Sequence, residues 1–262
     1  MNSVRLYMFQ TGWLRQKQVD IRLGASQEEL VIPVPWFLVT HPEGNVVIDG
    51  GVAVEAARDA RGHWGSVADT CWPLMEPDDG CAEQLQRHGL KAEDVRYVLQ
   101  SHLHLDHTGA LGHFPNATHI VQRKEYEYAR APDWFAAGGY IRKDIEKPGT
   151  KWLFLEGDST DDFDLYGDGA IKAIFTPGHS PGHQSFLVTL ADTGAILLTI
   201  DAAYTMDHWN ETALPGIMTS ATDVARSVKK LRAIADKTGA MVVTGHDPDL
   251  WPSFRKAPQS YE

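Results

Sequence analysis

Cysteine is scarce in this sequence. The 262 residues include two cysteines, Cys71 and Cys81, which are too few for a disulfide framework. Neither cysteine stands in a spacing typical of a metal site, and reduced thiols are the usual state in a reducing compartment. A single Cys71–Cys81 bridge stays open at this point. The scarcity of cysteine therefore favours an intracellular protein that does not depend on disulfides.

Long hydrophobic runs are also missing. No apolar stretch approaches the roughly 20 residues that a membrane helix needs. The first ten residues contain neither a long apolar region nor a small-residue cleavage site, which predicts that the chain has no signal peptide. Together with the cysteine content, these absences predict a cytoplasmic protein that does not bind to a membrane.

Positive charge is in deficit. There are 24 Lys and Arg residues against 35 Asp and Glu, which gives a formal net charge of −11. This balance argues against a nucleic-acid partner, because such binding depends on Lys and Arg contacting phosphates. The hydrophobic content of 43 % and the charged content of 23 % are ordinary for a globular protein. The length suits one large domain or two small ones.

Metal-binding residue types are concentrated in one short stretch. Three histidines and one aspartate lie within six residues: His102, His104, Asp106 and His107. They follow an apolar run at 95–99, which predicts a strand that brings them to the edge of a sheet. The first two histidines are two residues apart and point the same way on an extended segment, whereas the last two residues face a second direction. Imidazole and carboxylate are preferred ligands of borderline divalent metals, so the cluster predicts two neighbouring metals.

His-x-His-x-Asp-His is the signature of the metallo-β-lactamase superfamily, which this chain resembles along nearly its whole length. The superfamily's other motifs occur in order: Asp49-Gly50-Gly51, the segment from Thr176 to His183, Asp201 at the end of an apolar strand, and Gly245-His246-Asp247. The resemblance implies an αββα sandwich, an α/β (α+β) fold in which two mixed β-sheets are flanked by helices. It also implies that residues 1–262 form a single domain with two pseudo-symmetric halves.

The resemblance further implies a complete set of ligands for two metals. One metal takes His102, His104 and His179; the other takes Asp106, His107 and His246; Asp201 and a water-derived hydroxide bridge them. A carboxylate at the end of a buried strand is costly unless it is paired or bound to metal, which agrees with that role. Asp49 is expected to orient the metal loop from outside the ligand shell, and His183 to support it. Two Zn²⁺ per chain are expected, with Co, Mn or Fe as alternatives.

Tyr204 narrows the resemblance to the N-acyl-homoserine lactonases, in which a tyrosine three residues after the bridging aspartate faces the metals. The implied reaction opens the lactone ring of N-acyl-homoserine lactones and so quenches a bacterial quorum signal. The hydroxide attacks the lactone carbonyl carbon, and Tyr204 with one metal stabilises the oxyanion. Asp106 then passes a proton to the leaving alkoxide. The expected catalytic residues are Asp106 and Tyr204; a tyrosine packed in a surface loop is the alternative for the latter.

Other functions compete with this hypothesis. The first alternative is another hydrolase of the same fold, namely a general lactonase, a glyoxalase-II-like thioesterase or a phosphotriesterase. A thioester substrate bearing an anionic group would favour a basic cluster near the site, and the tail at 251–256 offers a weak one. Alternatives of a different class are an iron-dependent oxidoreductase, whose di-iron branch generally has Glu at the position of His104, and a non-catalytic metal-binding protein. The expected partner is a small-molecule lactone, and the oligomeric state, a homodimer included, is left open.

The rest of the sequence predicts the supporting elements. Strands are predicted at 4–9, 95–99, 118–121, 151–155, 170–175, 184–190, 195–200 and 241–243, with a hairpin at 36–48. Helices are predicted at 79–89, with Asp79 as N-cap, at 123–130 and at 220–239. Residues 12–27 are predicted as a loop over the site, in which Trp13 and Leu14 contact a substrate or pack against the body. Residues 156–168 are predicted as a turn, and 52–78 and 131–150 receive no assignment.

Several residues near these motifs receive individual predictions. Leu105, between two ligands, is expected to face the pocket and to influence the preferred acyl-chain length. His88, His113 and His119 are not counted as ligands, because each lies at a helix end, outside a motif or inside a strand pattern.

Overall fold

The computed structural model describes residues 4–157 and 162–262, and this part of the chain contains twelve β-strands and eight α-helices. The strands are β1 (Arg5–Lys17), β2 (Glu29–Thr40), β3 (Asn45–Ile48), β4 (Trp72–Leu74), β5 (Val95–Leu99), β6 (Thr118–Gln122), β7 (Lys151–Leu155), β8 (Asp162–Asp164), β9 (Ile171–Phe175), β10 (Gln184–Leu190), β11 (Gly194–Ile200) and β12 (Met241–Thr244). The helices are α1 (Gln18–Ile21), α2 (Val54–Arg58), α3 (Ala60–Trp64), α4 (Cys81–Arg87), α5 (Arg123–Arg130), α6 (Arg142–Ile145), α7 (Met206–Trp209) and α8 (Ala221–Thr238). Within the described ranges, no helix combines the length and the apolar character needed to cross a membrane.

The strands form two mixed sheets. The first has the order β4-β1-β2-β3-β5-β6-β7 and the second the order β12-β11-β10-β9-β8. In the first sheet the pairs from β3 to β7 are parallel, and in the second the β11–β12 pair is parallel. Parallel neighbours need a crossover connection, and α4, α5 and α8 lie in three of these connections.

Alternation along the strands explains why the sheets stack face to face with helices outside them. Successive side chains of a strand point to opposite faces. In β1, Leu6 and Met8 join the core between the sheets, whereas Tyr7 packs with Leu85 of α4 on the outer face. In β11, Ile196 and Leu198 point to the inter-sheet core, and Leu197 packs with Leu231 of α8. The expected αββα arrangement is confirmed.

Most predicted elements are present close to their predicted bounds. The strands at 95–99, 151–155 and 184–190 and the helix at 123–130 have the predicted limits. Helix α8 begins after Ser220, whose side chain accepts a hydrogen bond from the Asp223 N–H, and ends at Gly239 with a φ of +67°. The N-cap predicted for α4 was wrong, because Gly80 holds that position. The Asp79 carboxylate instead accepts a hydrogen bond from the Glu76 N–H.

The loop predicted for residues 12–27 was wrong for residues 12–21, whereas residues 22–27 lie outside the helices and strands as predicted. Strand β1 continues to Lys17, and α1 follows it directly. The β1–β2 pairing shifts register between Gln10 and Trp13, around Gly12, whose φ is +90°. Such an irregularity breaks the alternation of polar and apolar residues that marks a strand in a sequence. The polar end of β1 is held by pairing with β2 and, through Trp13, with β4.

The turn predicted for residues 156–168 was wrong in part. Strand β8 lies within it and pairs with β9, while residues 158–161 are outside the described ranges, as are residues 1–3. A three-residue strand is too short to show a periodic pattern. The unassigned segment 52–78 contains α2, α3 and β4, and the segment 131–150 contains α6. Cys71 and Cys81 are both free, so the bridge left open by the sequence is not formed.

Candidate metal centre

The side chains predicted as metal ligands converge where strands of both sheets end. The metal loop follows β5, the segment from Thr176 to His183 follows β9, and the remaining ligands follow β11 and β12. Seven side chains form overlapping groups whose ligand atoms lie within 4.8 Å of one another: His102, His104, Asp106, His107, His179, Asp201 and His246. All are buried except Asp106, which is partly exposed.

Three imidazoles form the first ligand set. Nε2 of His102 lies 3.1 Å from Nδ1 of His104. Nε2 of His179 lies 2.8 Å from Nδ1 of His104 and 3.1 Å from Nε2 of His102. Zinc–nitrogen bonds of 2.0–2.1 Å at tetrahedral angles place ligand atoms roughly 3.3 Å apart. The three nitrogens therefore have approximately the spacing that one tetrahedral cation requires.

The second ligand set combines two imidazoles and a carboxylate. Nε2 of His107 lies 3.6 Å from Oδ1 of Asp106, and Nε2 of His246 lies 3.5 Å from Oδ2 of the same side chain. Asp106 and His246 also line the neighbouring pocket. The second set is therefore accessible from that pocket.

Asp201 lies between the two sets and directs one oxygen to each. Its Oδ2 lies 3.2 Å from Nε2 of His179 and 3.5 Å from Nε2 of His102. Its Oδ1 lies 3.1 Å from Nε2 of His246 and 3.5 Å from Nε2 of His107. This is the arrangement expected of a carboxylate that bridges two cations.

Unpaired buried atoms show that the cluster suits cations. Oδ1 of Asp201 and Nε2 of His107 are buried and have no hydrogen-bond partner among the described residues. Leaving a buried polar group unsatisfied costs about 1–3 kcal/mol. A divalent cation would satisfy both atoms, and imidazole and carboxylate are ligand types that zinc accepts. The residues present therefore fit two divalent cations.

Hydrogen bonds at the outer ring nitrogens aim three of the imidazoles. Nδ1 of His246 lies 2.8 Å from the Pro33 carbonyl, and Nδ1 of His179 lies 3.1 Å from the Ile217 carbonyl. A carbonyl oxygen accepts only, so each Nδ1 carries the proton and leaves the Nε2 lone pair free for a metal. Asp49 accepts from Nδ1 of His107 at 2.9 Å in the same way.

Asp49 also holds the metal loop by its backbone. Its carboxylate accepts hydrogen bonds from the Ser101 N–H at 2.7 Å and from the Ser101 hydroxyl at 2.9 Å. These contacts agree with the orienting role that the sequence predicts. His183 has a comparable place, because its Nε2 accepts from the Asp201 N–H at 3.1 Å.

Burial and neighbouring charges set the protonation of the cluster. Burial lowers the pKa of His104 and of His179 to about 3, so both imidazoles are neutral at pH 7. Burial opposes ionisation of Asp201, but the imidazoles of His246 and His107 outweigh it and hold the pKa of that carboxyl well below its usual range. The carboxylates of Asp201 and Asp106 outweigh burial and raise the pKa of His107 and of His246. Neutral imidazole and ionised carboxylate are the states that bind metal, so these two imidazoles would release a proton when a cation binds.

Five of the seven ligating residues line a pocket of about 640 Å³: His104, Asp106, His179, Asp201 and His246. Leu105 lines this pocket, as predicted, together with Leu14 and Ile32. Leu14 is also part of a buried core cluster. It therefore packs against the body of the protein and also lines the pocket. The pocket thus has an apolar wall above a polar base.

Tyr204 lies in the wall of the same pocket. Its side chain is buried, which excludes the surface alternative. The hydroxyl oxygen lies 3.0 Å from Nδ1 of His179 and 3.4 Å from the Ile217 carbonyl oxygen. Burial raises the pKa of Tyr204, with Asp201 and Asp106 adding to the effect. The phenol therefore keeps its proton and remains a hydrogen-bond donor.

The segment 131–150 contacts the ligands directly, which the sequence did not predict. The Gly139 carbonyl accepts a hydrogen bond from the Leu105 N–H at 2.8 Å. The ring of Tyr140 lies 4.6 Å from the His104 ring, and Phe135 lines the pocket. This segment is rich in small residues and shows no helical or strand periodicity, so its sequence does not predict these contacts.

The histidines that were not counted as ligands lie elsewhere. The His88 ring packs edge-on against Tyr7 at 4.6 Å. Nε2 of His113 lies 3.8 Å from the Glu55 carboxylate, and His119 is buried beside Trp152. In the carboxy-terminal tail, Lys256 donates hydrogen bonds to the carbonyls of Trp251 and Phe254. Lys256 is thus engaged with the backbone of the tail, and the Arg255 guanidinium lies over the Tyr261 ring.

Comparison with known proteins agrees with this geometry. Residues 31–246 match the model of the metallo-beta-lactamase superfamily. The chain is 61 % identical to the N-acyl homoserine lactonase AttM of Azorhizobium caulinodans and 60 % identical to that of Agrobacterium fabrum, with all of both chains covered in each case. It is also similar to the solved structure of an N-acyl homoserine lactone hydrolase with the product N-hexanoyl-L-homoserine bound at the catalytic metal centre. That match has a TM-score of 0.89 and 28 % identity and covers all of both chains. The chain therefore belongs to the metallo-β-lactamase superfamily and, within it, to the N-acyl homoserine lactonase family.

Proposed function

We propose that this protein is a two-metal hydrolase that opens the lactone ring of N-acyl-homoserine lactones and so quenches a quorum signal. The observation that carries the proposal is the convergence of seven ligating side chains at the base of a pocket lined by Tyr204. Sequence identity of about 60 % to AttM lactonases over the full chain supports the same substrate class.

We propose that the two resident cations are zinc, with one at each ligand set. The imidazole-rich first set and its spacing support zinc, although Co, Mn and Fe accept similar ligands. Two such cations would lower the pKa of water and polarise a carbonyl group. Asp201, with one oxygen toward each set, would hold them together.

The remaining steps are assigned to side chains of this chain. Hydrolysis adds the elements of water across the lactone C–O bond, so one proton must reach the alkoxide that leaves. Asp106 reaches both the second ligand set and the pocket, and we assign it that proton transfer. Tyr204 keeps its proton and donates to the oxyanion that forms at the former carbonyl oxygen.

The apolar wall of the pocket suits an acyl chain. Leu105, Val67 and Phe135 line it beside the ligands, and burying methylene groups against them contributes about 0.8 kcal/mol each. Leu105 stands between two ligands and is proposed to influence the preferred chain length.

We also propose that the chain forms a single domain. We further propose a cytoplasmic location, and the two free thiols support such a reducing compartment.

Proton release tests this function. Purified protein mixed with hexanoyl-homoserine lactone is expected to acidify the solution, because ring opening produces a carboxylic acid. Prior chelation should abolish the acidification, and re-addition of zinc should restore it. The control is the ring-opened hexanoyl-homoserine, which should release no proton. Absence of acidification from protein that holds two metals per chain would contradict the lactonase proposal and direct the assay to thioesters and phosphotriesters.

A further inference from the structure

Glu125 is a fully buried carboxylate outside the family motifs. It lies in the first turn of α5, a helix whose sequence is polar, and its side chain has no exposed surface. A buried charge is costly unless hydrogen bonds replace the lost water. The groups that satisfy this carboxylate therefore show what it does.

Four donors, two on each oxygen, satisfy the Glu125 carboxylate. Oε1 accepts from the Leu103 N–H at 3.0 Å and from the Tyr140 hydroxyl at 3.3 Å. Oε2 accepts from the Ser180 hydroxyl at 2.6 Å and from the Gly182 N–H at 3.1 Å. Each oxygen thus binds one backbone N–H and one hydroxyl.

These donors belong to the segments that carry the first ligand set. Leu103 stands between His102 and His104 in the chain, and Ser180 directly follows His179. The same carboxylate therefore links both loops that supply the three imidazoles. The second set is held differently, by Asp49 at His107 and by the Pro33 carbonyl at His246.

Close packing fixes Glu125 relative to the second of these loops. A Cβ atom on Gly182 would lie 2.3 Å from the Glu125 backbone nitrogen, so only glycine allows this approach. On the other side, the Tyr140 ring lies 4.6 Å from the His104 ring. The carboxylate is thus held between the helix, the loop and the ring that packs on a ligand.

We propose that Glu125 is a positioning residue that sets the geometry of the first ligand set, and thereby the affinity of that set for its metal. This inference rests on the proposed metal centre and assigns within it a role to a residue that binds no metal. Glu125 acts through the backbones of the two loops and through Tyr140.

The chemistry requires a carboxylate at this position. The backbone N–H groups of Leu103 and Gly182 can only donate, and each faces a different oxygen of Glu125. Glutamine has the same size, but its amide nitrogen would face one of these donors. Glu125→Gln therefore breaks the link to one loop without creating a cavity. Loss of a group that orients metal ligands typically costs about 10- to 100-fold in metal affinity.

Competition for zinc tests the proposal. Wild-type holoenzyme and Glu125→Gln are titrated with a chromophoric chelator of known zinc affinity, which yields a dissociation constant for each of the two ions. His104→Ala and His246→Ala identify which ion belongs to which set. Glu125→Gln is expected to weaken the first-set zinc about 10- to 100-fold and to leave the second-set zinc unchanged. Glu127→Gln, an exposed position on the same helix with the same change of charge, should alter neither ion.

Either of two results would overturn the proposal: unchanged affinity for both ions in Glu125→Gln, or an equal loss at both sets. If Glu125→Gln does not fold, Ser180→Ala and Tyr140→Phe each remove one hydrogen bond to the carboxylate. Selective weakening of the first-set zinc in both supports the role, and its absence overturns it. Wild-type protein that binds two zinc ions but leaves lactones intact would contradict only the proposed reaction. Wild-type protein that binds no divalent cation would overturn the metal centre and this role together.

Discussion

Tyr204 contacts both the pocket and a metal ligand, so its role could be in the reaction or in positioning that ligand. Its hydroxyl lies in the pocket wall and within 3.0 Å of Nδ1 of His179. The hydroxyl also donates a long hydrogen bond of 3.4 Å to the Ile217 carbonyl oxygen. In the proposed reaction this proton turns from the carbonyl to the oxyanion. The ring packs in the same cluster as Leu14 and Ile32, so removing the hydroxyl alone keeps the packing.

Tyr204→Phe is therefore expected to lower kcat on hexanoyl-homoserine lactone about 100-fold while the zinc content stays at two per chain. The magnitude is that of losing one donor to an oxyanion. Steady-state kinetics and metal analysis of the same preparation measure it. Tyr166→Phe, which removes a hydroxyl bonded to the Gly44 carbonyl, serves as the control. Loss of zinc in step with loss of activity would contradict the oxyanion role and assign the hydroxyl to His179.

Single residues differ in how far the sequence predicts them. The metal-ligating side chains are predictable because motifs such as His-x-His-x-Asp-His place several potential metal ligands within a few residues. Glu125 is not, because its hydrogen-bond partners Leu103, Ser180 and Gly182 are 22, 55 and 57 residues away. In the sequence it looks the same as the exposed Glu127 two positions later.

At the scale of elements, the short turn at Ala137–Gly139 is built against a ligand. A Cβ atom on Gly139 would lie 2.7 Å from Cδ2 of the His104 ring, whereas one on Gly138 would meet only a methyl group of Val67 at 3.4 Å. Gly139→Ala is therefore expected to displace His104 and weaken the first-set zinc at least about 10-fold, as other changes to ligand orientation do. Competitive zinc titration and lactone turnover measure the effect.

Gly138→Ala is the matched control for this prediction. It makes the same chemical change one residue away, at ordinary contact distance, and should leave zinc affinity and turnover unchanged. Equal behaviour of the two variants would show that the turn tolerates a methyl group at His104 and would contradict the prediction.

Elements with a strong periodic or apolar pattern were predictable, and elements shaped by distant partners were not. Residues 95–99 and 184–190 are apolar enough to specify strands without help. The second half of β1 becomes a strand because β2 and β4 pair with it across the irregularity at Gly12. Helix α6, with four residues, is too short to show a helical period.

At the scale of the whole molecule, the resemblance predicted two mixed sheets with outer helices, and the structure confirms them. The strand order itself does not follow from local pattern. It places β3 beside β5 and β11 beside β12, pairs that are separated in sequence by helices and loops. These pairings order the strands within each sheet, and the stacking of the two sheets on a shared core brings the end of β5 near those of β9, β11 and β12. The metal centre therefore depends on long-range contacts throughout the molecule.

The free energy of unfolding is expected to depend on pH through His119, a buried histidine outside the metal centre. His119 on β6 is buried, its Nδ1 has no hydrogen-bond partner among the described residues, and burial lowers its pKa to about 4. The unfolded chain has a histidine pKa of about 6.5. Between these values the unfolded state binds the proton and the folded state does not, so stability falls as the pH falls through this range. Above about pH 6.5 the group is neutral in both states and contributes no pH dependence.

His119→Leu removes this titration with little change in volume. Each pKa unit corresponds to about 1.4 kcal/mol, so wild-type protein is expected to lose about 2 kcal/mol more than the variant between pH 7.5 and pH 5. Urea unfolding of both proteins at matched zinc concentration measures the two free energies of unfolding. Protonation of the metal ligands acts on both proteins alike and cancels in the difference. Free energies that fall in parallel over this range would contradict the prediction, because they would mean that His119 takes up its proton equally in the folded and unfolded states.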